Sequence, residues 1–286
     1  MIDKRKFANF VRLMRADKPI GTALLLWPTL TSFIILTNGK PNFFLVGLFI
    51  VGTFLMRSAG CVINDYFDRD FDGEVHRTKD RPLATGEVSP KEALLLFALL
   101  ISCSAFLLIF MNKLTIYMAL IGLGLATLYP LTKRFFPIPQ LFLGLAFSWG
   151  IMMVSSAELN EINVVSIALF GSCFFWIVAY DTAYALCDKE DDLDLGINSS
   201  AITFGDNVLP AFFSLHALSI GIMLTIAFAL DFHLTFYLFA FICASLVIYQ
   251  CNLIKRQESE KCLKAFKNNN LIGLSFFCGS IMGVLL

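Results

Sequence analysis

Nine uninterrupted apolar runs divide the chain, at 20–38, 43–64, 92–111, 114–132, 138–156, 164–187, 208–230, 233–254 and 268–286. A helix rises about 1.5 Å per residue and needs roughly twenty residues to cross ~30 Å of hydrocarbon. Strands of a membrane barrel alternate apolar and polar positions over about ten residues. These runs do not alternate. Helices bond every backbone group within their own segment, so the pattern predicts an all-α integral membrane protein of about nine transmembrane helices. The first run does not read as a cleavable leader, because its charged lead is long and eight further spans follow.

Composition agrees. Apolar types make up 57% of the 286 residues and charged types 15%, with a mean hydropathy of +0.74. Thirty phenylalanines exceed what a soluble globule of this length can enclose, and soluble domains carry roughly 25% charged residues. Disordered, collagenous and nucleic-acid-binding chains are excluded. The net charge of zero gives no bulk field for a polyanion. The eight cysteines include no CxxC pair and read as buried thiols. The three histidines, at 76, 216 and 233, are too scattered for a zinc site.

Charge placement adds orientation. With the N-terminus in the cytoplasm, all of the 22 basic residues except Lys40 and Lys113 fall on the cytoplasmic side, as the positive-inside bias requires. Residues 1–19 contain Asp3 and Asp17 and do not resemble an acid-poor transit peptide, so the expected location is a bacterial inner membrane, with one multi-pass domain over 1–286.

Acidic residues gather in two cytoplasmic-side bursts, NDYFDRDFD (64–72) and DTAYALCDKEDDLD (181–194), each beginning inside an apolar run. At about 100° per residue, Asp65, Asp68 and Asp72 share one helical face, and Asp181, Asp188 and Asp192 share another. Arg57 and Asn64 lie on the face of Asp68, with the arginine deeper in the span. Lys133 and Arg134 follow Tyr129 and Pro130 at the end of another span, and Arg77, Lys79 and Arg81 occupy the loop after the first burst. These loop cations read as ordinary positive-inside anchors.

Carboxylates aligned at a bilayer rim repel one another unless a cation compensates them. Mg2+ favours oxygen ligands and binds through a few carboxylates together with substrate phosphates. Two facing rows therefore suit Mg2+ ions gripping a diphosphate, and a lipid-embedded setting suits a prenyl tail. Metals and cationic side chains would stabilise the leaving diphosphate, and a dry site would protect the allylic cation from water. Phe67, Phe71, Tyr180 and Tyr184 adjoin the rows and could face that cation.

The string RSAGCVINDYFDRDFDGEVHRTKDRPLATG (57–86) carries an NDxxDxxxD pattern, and YDTAYALCDKEDDLDLGINSSAITFG (180–205) carries a DxxxD. Together they resemble the UbiA superfamily of intramembrane aromatic prenyltransferases. LMRADKPIGTALLLWPTL (13–30), LYPLTKRFFPIPQ (128–140) and CLKAFKNNNLIG (262–273) resemble its 4-hydroxybenzoate polyprenyltransferase branch. The resemblance implies nine helices around a central cavity, Mg2+ dependence and a role in ubiquinone biosynthesis. It implies Asp68, Asp72, Asp188 and Asp192 as catalytic metal ligands. It further implies Asn64, Asp65, Tyr129, Lys133, Arg134 and Asp181 as substrate-binding residues, and Arg57 as the partner of a benzoate carboxylate. The expected substrates are a polyprenyl diphosphate, with octaprenyl as the expected donor, and 4-hydroxybenzoate, in contact with membrane lipid and with no protein partner.

Other aromatic acceptors, such as homogentisate, a naphthoate or haem, would fit the same fold, and the base that takes the ring proton stays open between an aspartate and the released diphosphate. A cation transporter would place its acids near the bilayer midplane, whereas these gather at one rim. The contiguous motif of phosphatidyl-alcohol transferases does not occur.

Overall fold

The computed structural model describes residues 4–70 and 72–286. Asp3 and Phe71, named above, lie outside the described residues. Among the described residues, the chain's regular elements are all helices. Its elements are α1 (Lys4–Leu13), α2 (Ile20–Leu36), α3 (Phe43–Asp68), α4 (Pro90–Leu107), α5 (Lys113–Thr132) and α6 (Gln140–Leu159). They continue as α7 (Val164–Ala185), α8 (Lys189–Asp194), α9 (Ser200–Phe204), α10 (Val208–Ala229), α11 (Thr235–Ile254) and α12 (Ser259–Leu285).

Each apolar run of the sequence coincides with one long helix. Among the described residues, seven helical segments are long and apolar enough to cross a membrane. The two others are α2, which has 17 residues, and α12, whose first half carries lysines and asparagines. Two ends differ from the pattern. The run at 43–64 continues as helix to Asp68, and the segment 255–267, read as a loop, is helical from Ser259 onward. Polar residues at these two ends hid both extensions, because a helix can leave the hydrocarbon without losing its backbone bonds.

The long helices carry large apolar side chains on their outer faces. Leu95, Ile109, Phe228 and Phe241 are each at least two-thirds exposed, which suits hydrocarbon as solvent. Polar starts are capped locally. Ser89 and Glu92 form a capping box at α4, and Asn112 and Asn163 accept from the first turns of α5 and α7.

Helices α2, α6, α7 and α12 meet at the centre, with α10 and α11 closing one side and α3, α4 and α5 the other. A polar hub locks this arrangement. Asn269 Oδ1 accepts from Trp176 Nε1 at 2.9 Å and from His216 Nε2 at 3.1 Å, while its Nδ2 donates to Gln250 Oε1 at 3.0 Å. Asn268 accepts from Gln250, and Asn270 accepts from Trp27 Nε1 at 2.8 Å. Three consecutive asparagines thus tie α12 to α2, α7, α10 and α11, where a polar side chain without a partner would be expensive. One turn further, Gly273 lets both indoles close in; a Cβ there would stand 2.7 Å from Trp27 and 3.0 Å from Trp176. Beside them lies a cavity of about 40 Å³ edged by Pro28, Thr31, Ser172, Trp176 and Phe276. That is room for a few water-sized groups.

Candidate active site

Both acidic bursts come to the same end of the bundle. Asp65 and Asp68 occupy the last turns of α3. Asp72 lies beyond the helix, and its N–H still donates to the Asp68 carbonyl at 2.8 Å, so it stays stacked near Asp68.

The second burst departs from the expected stripe. Helix α7 stops at Ala185, and Asp188 is the N-cap residue of the separate helix α8, with φ −112° and ψ 10°. Asp181, Asp188 and Asp192 therefore do not share the face of one continuous helix. The acidic run itself supplies a reason: Glu190, Asp191 and Asp192 fill the first turn of α8, and negative charge is favoured at a new helix N-terminus. Asp181 remains on α7, where Gln140 hydrogen-bonds to it.

The loop between α3 and α4 joins the two bursts. Arg77 Nε donates to Asp188 Oδ1 at 2.8 Å, and its guanidinium also contacts Asp188 Oδ2 and the Tyr184 hydroxyl. The same group lies 4.4 Å over the Tyr184 ring. The neighbouring His76 N–H donates to Asp191 at 3.2 Å. Four residues on, Arg81 Nη1 donates to both Asp72 oxygens, at 2.8 and 2.7 Å, and reaches Asp65 Oδ1 at 3.0 Å. Asp65 is fully buried, and its oxygens also receive Arg15 at 2.8 and 3.0 Å.

From α5, Lys133 ion-pairs with Asp68 Oδ2, which Asn64 also bonds at 3.0 Å. Asp68 Oδ1 is buried with no hydrogen-bond partner. Arg134 points elsewhere, donating to the Phe67 carbonyl at 2.9 Å. The Lys133 carbonyl accepts from the backbone and side chain of Asn198, which fastens the loop after α8 to α5.

Asp192 sits outside the membrane-spanning helices. Burial, then the neighbouring Asp188, pushes its carboxyl up to about 7 against the pull of Lys133 and Arg77. Burial likewise raises Asp72, with Asp65 and Asp68 adding to the rise and Arg81 opposing it. Asp65 and Asp72 hold the charged form of Arg81 against its burial. Among the described residues, no three His, Cys, Asp or Glu side chains are grouped closely enough to hold a metal ion. Asp65, Asp68, Asp72 and Asp188 are instead each paired with an arginine or lysine.

Arg57 lies deeper. Its Nε is buried without a hydrogen-bond partner, as is the Tyr180 hydroxyl, and Tyr129, Tyr180 and Tyr184 are its electrostatic neighbours. Gly21 of α2 backs the guanidinium. Arg57 Nη1 contacts Cys61 Sγ, so a buried guanidinium with one unused N–H stands near a buried hydroxyl that also lacks a partner.

A model of the UbiA prenyltransferase family matches residues 25–280. The chain belongs to this family. A UbiA-family relative named 4-hydroxybenzoate octaprenyltransferase, from Aeromonas hydrophila, is 45% identical over 285 residues, covering 100% of this chain and 99% of that protein. Another of the same name, from Vibrio atlanticus, is 47% identical over 276 residues and 96% of each chain. Among solved structures, a UbiA homologue from Aeropyrum pernix K1 superposes with a TM-score of 0.78 at 21% identity, over 90% of this chain and 96% of its own. A UbiA homologue from Archaeoglobus fulgidus bound to GPP and Mg2+ gives 0.71 at 18% identity, over 97% and 100%. These structural likenesses establish a shared UbiA-type fold.

Several residues of this UbiA-family site escaped the sequence reading. Arg77 and Arg81 read as surface anchors, yet they hold Asp188 and Asp72. Arg15 and Gly21 both lie in the 13–30 string, whose resemblance was plain while its purpose was not. Their partners, Asp65 and Arg57, are 50 and 36 positions away in the chain.

Proposed function

We propose that this protein transfers a polyprenyl group, with octaprenyl diphosphate as donor, to the ring carbon ortho to the hydroxyl of 4-hydroxybenzoate, a membrane step of ubiquinone biosynthesis. The observation that carries this reading is the union of the two acidic bursts, through Arg77 and Arg81, at the bundle end that also holds Lys133. Full-length likeness to relatives named for this activity supports the choice of substrates.

The donor set suits a hard divalent cation. Asp68 has a buried oxygen without a partner, and the proximity of Asp188 helps to raise Asp192 to about 7. Asp68, Asp72, Asp188 and Asp192 would hold Mg2+, which when bound offsets negative charge on the diphosphate. Lys133, Arg77 and Arg81 face the same space and bind phosphate oxygens, with Asn64 steadying Asp68. The allylic C–O bond breaks with its electron pair leaving on the diphosphate. The ortho carbon of the acceptor then forms the new C–C bond, and the ring proton departs to a nearby aspartate or to the released diphosphate. Arg57 orients the acceptor by its carboxylate, with Tyr129 and Tyr180 beside it. Buried aromatic walls keep water from the cation.

The chain is read as one domain over 1–286, crossing a bacterial inner membrane nine times. Its N-terminus and active site face the cytoplasm, as the basic residues favour. Membranes containing the protein, given 4-hydroxybenzoate and donors of mixed length, should form a prenylated 4-hydroxybenzoate by mass spectrometry, and only with Mg2+. Asp68→Ala and Asp188→Ala should each abolish it while leaving membrane insertion intact. Undiminished Mg2+-dependent product from Asp68→Ala would remove that residue from the metal site.

A further inference from the structure

Each of three candidate metal ligands is already ion-paired with a cationic side chain of the same chain. Lys133 holds Asp68, Arg81 holds Asp72 and Arg77 holds Asp188. All six side chains are largely shielded: the carboxylates are at most 12% exposed and the cations at most 29%. A divalent cation arriving alone would take these carboxylates and strand three cations in a poorly solvated setting. A diphosphate arriving alone would strand the carboxylates. Either half-reaction leaves shielded charge unpaired, which is strongly unfavourable. Arrival of both lets every group change partner at once, carboxylates to the metal and cations to phosphate oxygens.

We infer that Arg77, Arg81 and Lys133 act as internal counter-ions that make metal and diphosphate bind cooperatively, by exchange of ion-pair partners. This rests on the prenyl diphosphate reading above and adds a property of the chain's own cations. Two of the three exchange partners, Arg77 and Arg81, belong to the α3–α4 loop, so the exchange also shifts how that loop is held. Asp65 keeps Arg15 as a second partner, so that buried carboxylate is not left unpaired when Arg81 turns to phosphate.

The test is Mn2+ binding by the full-length, detergent-solubilised protein, read from the electron paramagnetic resonance of free Mn2+. Titrations are run with and without geranyl S-thiolodiphosphate, an analogue that resists ionisation. The analogue should tighten Mn2+ binding about tenfold, and Mn2+ should tighten the analogue by the same factor. Arg77→Gln releases Asp188, so Mn2+ alone should bind several-fold more tightly than to the wild type and the coupling should shrink. Lys133→Gln, releasing Asp68, should behave alike and covers the case in which Arg77→Gln fails to fold. Equal Mn2+ affinity with and without bound analogue overturns the inference and leaves the prenyltransferase reading standing. An analogue that does not bind at any Mn2+ concentration overturns the reading itself.

Discussion

Gly21 and Arg57 are in direct apposition: a Cβ at position 21 would stand 2.6 Å from Arg57 Nη2 and 2.9 Å from its Nε. The glycine hydrogen is therefore part of the seat of the guanidinium. Gly21→Ala, on a helix that tolerates alanine, should displace Arg57 without unfolding the bundle. The expected outcome is a rise of about tenfold in the KM for 4-hydroxybenzoate, with the KM for the prenyl diphosphate unchanged. Arg57→Lys should raise the same constant, because lysine lacks the planar fork. Steady-state kinetics with each substrate varied in turn decide it; equal effects on both substrates would detach Arg57 from the acceptor.

The asparagine hub carries a prediction about stability. Asn269→Leu removes the acceptor shared by Trp176 and His216 and leaves Gln250 Oε1 without its donor. Loss of about 2 kcal/mol in resistance to denaturation is expected, since interhelical hydrogen bonds contribute roughly 0.6 to 1.7 kcal/mol each in membrane proteins. Asn268→Leu, which loses one bond to Gln250, should cost less. Detergent-titration unfolding of the two variants side by side gives the comparison.

These two cases mark what can be read from one sequence. Helices were legible because apolar length is a local property, and each of the nine runs became one helix. The first acidic row was legible for the same reason, since Asp65 and Asp68 stay on α3. The second failed at Ala185, where the acidic run opened a new helix and a constant 100° rotation no longer applied. Partners remote in sequence carried no local signal. Nothing in periodicity pairs Arg15 with Asp65, Gly21 with Arg57, or Asn269 with His216. The asparagine run was conspicuous, but its purpose is a matter of which helices surround it.

Asp192 predicts a pH dependence of opposite sign for function and for stability. Burial first, then Asp188, raises its carboxyl from the ordinary 3.8 to about 7. Below that pH the group is protonated and cannot serve as an anionic metal ligand. The Mg2+ concentration needed for half-maximal transfer should therefore climb, by up to about tenfold per pH unit, as pH falls below 7. Folding favours the protonated form, so this residue's stabilising contribution is complete below 3.8 and fades as pH rises to about 7. Asp192→Asn should thus abolish transfer yet melt no lower than the wild type at pH 8. A lower melting temperature at that pH would contradict the assigned shift.

Arg15 adopts a left-handed backbone, with φ 57°, a conformation that a bulky residue rarely holds without compensation. The compensation is the ion pair in which Arg15 Nη2 donates to both oxygens of the buried Asp65, which also binds Arg81 on its way to Asp72. Arg15→Gln should lower stability by about 2 kcal/mol, less than a fully buried pair because the arginine side chain is 21% exposed. Asp65→Asn should loosen Arg81 and with it the α3–α4 loop, raising protease cleavage between residues 72 and 88 and lowering kcat. If the two act as one unit, the double variant should fall short of the summed single effects by about 1 to 3 kcal/mol. Strict additivity would mean that Arg15 merely braces the N-terminal helix and has no hold on the aspartates.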